Sequence, residues 1–177
     1  MSTATALTLD LEVQKYAKAW AVSLAATQKA IPGGACEVLT QVPEAAIPIE
    51  VQDLWISVAS RERLGAVALR IGQKAALRLS LASETAQLTD QNRSSLLECI
   101  RRTAEGIGEA APREDKSEFL VEFREGANAS KAVSFWLQLR GDASDPILIE
   151  VWLDQALVQR LQRRRERDGS VATLGRR

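Results

Sequence analysis

The sequence predicts an α+β fold in which two halves repeat one plan: a helix, then three strands, with the long helices packed on a mostly antiparallel sheet. Two observations carry the prediction. Apolar residues recur at helical spacing over about residues 10–30 and again from residue 89 onward, and each stretch is followed by runs with a period of two. A third bounds it: 46% of the 177 residues are hydrophobic and 26% charged, apolar enough to bury a core and too apolar for a disordered chain.

Thr8 and Asp10 are candidate caps for a first helix running to about Ala30, with Leu11, Tyr16, Trp20, Leu24 and Ile31 on one face. Pro32, Gly33 and Gly34 stop it. Glu37–Val42 is short and β-prone, and Pro43–Pro48 reads as a loop. In Asp53–Ala59, Leu54, Ile56 and Val58 alternate with Trp55 and Ser57, the period of a half-buried strand. Arg61–Arg63 then make a polar turn into Leu64–Ile71, which gives a hairpin.

Gln73 to about Ala82 has Ala75, Ala76, Leu79 and Ala82 at helical spacing, a short helix that joins the halves. Thr89 or Asp90 caps the second long helix, whose stripe is Leu96, Leu97, Ile100 and Ala104; it is expected to fray near Gly106 or Gly108 and to end by Pro112. Phe119, Val121 and Phe123 alternate with polar or outward residues, Glu125–Ser130 reads as a turn, and Val133, Phe135, Leu137 and Leu139 repeat the pattern. Ile147–Leu153 is a last strand, followed by a helix from Asp154 to about Glu166. The expected organisation is a flexible 1–9, one domain over 10–167 with halves 10–71 and 89–153, and a polar tail over 168–177.

Composition removes several function classes. The 23 basic and 23 acidic residues cancel, so no global field draws nucleic acid or anionic lipid. There is no histidine, which excludes Ser-His-Asp and Cys-His chemistry and any imidazole metal site. Cys36 and Cys99 lie outside any CxxC spacing and within apolar segments, so they read as buried, inert thiols in a reducing compartment. No apolar run approaches the roughly 20 residues of a membrane span. The first twenty residues are amphipathic and carry Asp10, Glu12, Lys15 and Lys18, unlike a secretion signal, so a cytoplasmic location is expected.

Other candidate sites have simpler readings. Glu114, Asp115 and Glu118 cluster in a loop and read as solvated. Gly33-Gly34 and Gly106-Ile-Gly108 lack the strand, loop and lysine of a phosphate site, and helix termination accounts for them. Trp55, Trp136 and Trp152 fall on strands, Trp136 and Trp152 out of phase with the main apolar sets; core packing on a second face is preferred over an exposed contact patch. Arg160, Arg163, Arg164, Arg165 and Arg167, with Arg176 and Arg177, could attract RNA, an acidic partner or lipid, but no aromatic residue accompanies them and they read as solvated. No cofactor and no metal is expected.

The stretches Tyr16–Leu24 (YAKAWAVSL), Leu64–Leu69 (LGAVAL) and Leu88–Glu98 (LTDQNRSSLLE), continuing to Gly106, resemble the CheC, CheX and FliM superfamily of chemotaxis phosphatases and flagellar motor switch proteins. The resemblance covers roughly residues 10–155. It implies a switch or chemotaxis protein as partner and, for the phosphatases, a Glu followed three positions later by an Asn on each long helix, which engages the phosphorylated response regulator and orients water. Here Glu98 is followed by Arg101, and Glu12 by Lys15, so neither copy is complete. The resemblance therefore implies a non-catalytic relative, a separate subunit or adaptor; the alternative is a response-regulator aspartyl-phosphate phosphatase with a degenerate motif, its acid Glu98. A structural homodimer module unrelated to motility is a third reading.

Overall fold

A computed structural model describes residues 10–40, 53–60, 65–82, 87–110, 119–124, 131–141 and 145–163. Among them, in chain order, are α1 (Leu11–Thr27), β1 (Ala35–Val38), β2 (Leu54–Ser60), β3 (Ala66–Ile71), α2 (Gln73–Leu79), α3 (Asp90–Ala110), β4 (Phe119–Arg124), β5 (Val133–Arg140), β6 (Ile147–Leu153) and a final helix α4 over 155–163. The expected plan of helix and three strands, twice, is what the chain adopts.

Several boundaries differ from expectation. α1 ends at Thr27, before Ala30, because the Gln28 side chain takes over the backbone groups of the next turn: its Nε2 donates to the Ile31 carbonyl at 2.7 Å and its Oε1 accepts from the Ile31 amide at 2.8 Å. Asp10 sits at the N-cap without a side-chain capping bond. β1 covers Ala35–Val38, earlier than the expected Glu37–Val42. α2 stops at Leu79, short of Ala82, where Leu81 turns to φ 64°. At α3, Thr89 Oγ1 accepts from the Asn92 amide at 3.2 Å and so is the side chain that caps. The expected loop 43–48, the turns 61–63 and 125–130, the acidic cluster 114–118 and both ends (1–9 and 168–177) lie outside the described residues.

The strands form one antiparallel sheet in the order β1-β5-β6-β3-β2-β4. β2 and β3 pair as the predicted hairpin, Leu54 opposite Ile71. The outer strands are exchanged: β1 pairs with β5 of the second half, and β4 pairs with β2 of the first instead of its own neighbour in sequence, β5. The halves meet at β3 and β6, where Arg70 stands opposite Glu150 and Leu69 opposite Val151. Each long helix nevertheless lies over the first strand of its own half, α1 on β1 and α3 on β4. Neither half can complete its sheet alone.

One face of the sheet meets the helices. Val13, Ala17, Trp20, Ala21 and Leu24 of α1 are buried at i, i+4, i+7, i+8 and i+11, and Leu96, Ile100, Thr103, Ala104 and Ile107 of α3 repeat that spacing position for position. They cover Ile56, Leu69, Phe135, Leu137, Ile149 and Val151. Full burial of each large aliphatic chain contributes roughly 1.5–3 kcal/mol. The helices cross where Ser23 meets Gly106, equivalent positions in the two stripes. A Cβ on Gly106 would run into Ser23 Oγ, and that hydroxyl is held in place by donating to the Thr103 carbonyl at 2.6 Å. α3 therefore does not fray at Gly106; the glycine admits the other helix. α4 closes the end of this layer, with Leu161 buried and Asp154 accepting from the Ala66 amide at 3.0 Å and the Leu157 amide at 2.9 Å.

The other face is buried as well over the central strands, though not at the edge strands β1 and β4, so the alternation in β2 marks two covered faces, not one. Trp55 and Ser57 are each 4% exposed. Trp55 packs edge-on against Trp152 at 4.6 Å, beside Ala68. Directly opposite Trp55, Arg70 Nε donates to Glu150 Oε1 at 3.0 Å, its Nη1 donates to Asp53 Oδ2 at 3.1 Å, and its guanidinium lies 5.1 Å from the Trp136 ring. Trp152 Nε1 also donates to Glu150 Oε1. The three tryptophans are core residues, as preferred from the sequence.

Two stability predictions follow from these contacts. Alanine is favoured over glycine inside a helix by about 1 kcal/mol, but overpacking at a close crossing costs about 1–3 kcal/mol. Gly106→Ala is therefore expected to lower the urea midpoint, and to lower it less in a Ser23→Ala background, where the obstructing hydroxyl is gone and only the Cβ remains close. Arg70→Met removes the buried cation from Glu150 and Asp53 and is expected to cost about 3–5 kcal/mol in urea unfolding, part of which Glu150→Gln recovers.

Candidate functional site

The outward sides of α1 and α3 form the walls of an open groove of about 800 Å3. Its floor is the helix crossing, Ser23 against Gly106, reinforced by a Thr27–Thr103 hydroxyl pair at 2.8 Å. Along α1, Lys15, Lys18, Ala19, Val22 and Ala26 line it in one helical stripe. Across it, α3 supplies Arg102 and Glu105. Among the described residues Val22 is the most exposed large hydrophobic side chain, at 67%.

Glu98, the candidate acid, stands on the outer surface of α3 beside this groove, its side chain 52% exposed. Its carboxylate meets Arg102 Nε at 3.2 Å and Arg101 Nε at 3.9 Å. Surface pairs of this kind are worth well under about 1 kcal/mol; one of them holds Arg101, three positions on, where the resemblance implies an asparagine. On α1, Glu12 and Lys15 pair at 3.4 Å. The matching buried stripes, however, put Lys15 in the place of Glu98 and Lys18 in that of Arg101, so the α1 counterpart falls on two lysines, not on Glu12 and Lys15. Neither reading supplies a carboxylate with an amide three positions on.

Among the described residues no cluster of three or more His, Cys, Asp or Glu side chains could hold a metal ion. Cys36 and Cys99 are separate half-buried thiols. Burial pushes the Cys36 thiol up to about 12, with Glu37 adding to the effect, and burial likewise raises that of Cys99. Desolvation of this kind disfavours the thiolate at both positions. Burial also raises the Tyr16 phenol to about 12, where it packs on Trp20 with ring centroids 6.4 Å apart.

Of the arginine-rich C-terminal run, Arg160 and Arg163 lie on α4, and Arg164 onward falls outside the described residues. The sequence reading overlooked two groups. Arg70 and Glu150 each interrupt an apolar strand, and a charge in the middle of such a run signals a buried partner across the sheet. Val22 was the other, an apolar residue out of phase with the buried stripe of α1 and hence on its wet side.

No family model and no curated protein matches the sequence. Solved structures do match the fold. The FliM middle domain from H. pylori superposes with a TM-score of 0.55 at 10% identity, over 85% of this chain and 91% of that one. Thermotoga maritima FliY gives 0.54 at 14% identity, over 89% and 97%. The chemotaxis protein CheX from Vibrio vulnificus gives 0.52 at 11% identity, over 82% and 100%. No helix among the described residues is long and apolar enough to cross a membrane.

Because thiolate is the reacting species, iodoacetamide at pH 8 is expected to alkylate native Cys36 at least about a hundredfold more slowly than the unfolded chain; equal rates would show that the thiol is not desolvated. Two exchanged halves, long helices on one face of a six-stranded antiparallel sheet and these superpositions give one conclusion: the chain has the CheC, CheX and FliM type of fold.

Proposed function

We propose that this protein is a non-catalytic interaction component of a flagellar motor switch or chemotaxis system, acting in the cytoplasm with residues 10–167 as its folded unit, and binding a switch subunit or a response regulator. The observation that carries the reading is the outer surface of α1 and α3. The two positions at which a water-orienting amide is expected in a phosphatase of this fold hold Arg101 and Lys18. A guanidinium or ammonium donates hydrogen bonds but cannot accept one from an attacking water, and Glu98 is engaged by Arg101 and Arg102.

What remains on that surface suits recognition. It has an open groove, an exposed apolar side chain in Val22 and charged walls, the ingredients of a protein contact. The fold it shares with FliM, FliY and CheX supports placing the partner among switch and chemotaxis proteins.

Two measurements test this. Purified protein is expected to bind a switch or chemotaxis component from its own organism in a calorimetric titration, and binding to none of them would remove the main support. In a phosphate-release assay with phosphorylated response regulators, it is expected to leave the intrinsic decay rate unchanged. Acceleration that disappears in Glu98→Ala would establish the phosphatase instead.

A further inference from the structure

We infer that the groove between α1 and α3 is a docking site for an acidic, amphipathic helix of a partner protein; this rests on the reading of the protein as an interaction component and names the chemistry of what it binds. The charge on the groove decides the sign. Lys15, Lys18 and Arg102 face it against the single carboxylate of Glu105. Lys18 has no ion-pair partner among the described residues, so its ammonium is available to a carboxylate from outside.

The shape decides the secondary structure. Both walls are α-helices whose backbone groups are satisfied internally, so an extended peptide would find no strand edge to extend. Recognition has to come from side chains. The α1 stripe from Lys15 to Ala26 rises about 16 Å, three helical turns at 1.5 Å per residue. Its cations stand at one end and its small apolar residues, Ala19, Val22 and Ala26, follow toward the other. A third helix laid along this stripe would bury Val22 under an apolar residue and bring carboxylates to Lys15 and Lys18. The close crossing at Ser23 and Gly106, where neither side chain is large, lets such a helix approach.

The test uses the full chain and a fluorescein-labelled, three-turn peptide rich in glutamate with leucines at i, i+3 and i+7. Its companions are a peptide of equal composition with that spacing scrambled, a peptide with lysine for each glutamate, and vesicles of mixed phosphatidylserine and phosphatidylcholine. Anisotropy is expected to show binding of the patterned acidic peptide alone, weakened by salt. Lys18→Glu and Val22→Asp should each weaken it roughly tenfold, while Lys29→Glu, an exposed lysine outside the groove, should change it less than about twofold. Both groove residues are exposed, and unchanged circular dichroism melting of the variants confirms that the fold is intact.

The inference is overturned by no binding of the patterned peptide up to about 1 mM, weaker than the range of specific recognition. Equal binding of the scrambled peptide, indifference to Val22→Asp, or binding to the vesicles in place of the peptide overturns it as well. Failure here is separable from failure of the proposed function. If a switch or chemotaxis component binds wild type, Lys18→Glu and Val22→Asp equally, the function stands and its contact lies elsewhere. If the groove takes the acidic peptide and no such component binds at all, the docking site stands and the motility assignment falls.

Discussion

The antiparallel pairing of β3 with β6 joins the two halves of the chain, and the remaining architecture is arranged around it. Both strands are buried on both faces, so every side chain along them must find a partner on one layer or the other. On the helix side the partners are apolar, Leu69 and Val151 beneath the two long helices. On the far side they are Ala68 with the tryptophans, and the Arg70–Glu150 pair directly across the junction. A buried ion pair is weak evidence for added stability, because desolvation offsets the attraction. Its value lies in alignment: a one-residue slip of β3 against β6 would turn Arg70 toward the apolar helix layer and leave Glu150 unpaired.

Exchange of the outer strands carries this junction to the edges of the sheet. β1 takes its hydrogen bonds from β5 and β4 from β2, while each stays covered by the helix of its own half. Arg93 of α3 lies 5.8 Å over the Phe123 ring of β4, which fastens one of those edge strands. The two helices are then close neighbours by construction, and the small or polar residues at their crossing set how deep the outer groove between them can be. The groove is a consequence of the repeated plan, formed where the equivalent helices of the two halves meet.

The equivalent placement of the two walls makes their chemical difference informative. Lys15 and Lys18 on α1 occupy the places that Glu98 and Arg101 hold on α3, so a surface built from equivalent halves carries lysines on one side and a mixed cluster on the other. Such an asymmetry gives a docking partner a direction.

Local pattern, legible in the chain itself, determined the helices of each half, the six strands, the β2–β3 hairpin and the buried tryptophans, because each follows from the spacing of apolar residues along a short segment. The position of Glu98 on an outward helix face was legible for the same reason, and the absence of imidazole chemistry from composition alone. Tertiary structure alone decided the exchange of β1 and β4, since hydrogen bonding between backbones leaves no mark in side-chain periodicity. It also decided that Gly106 seats Ser23 of the other helix and ends nothing, and that the lysines of α1 stand across the groove from Arg102 and Glu105. Those are contacts between residues far apart in the chain, and periodicity within one segment carries no information about the face of another.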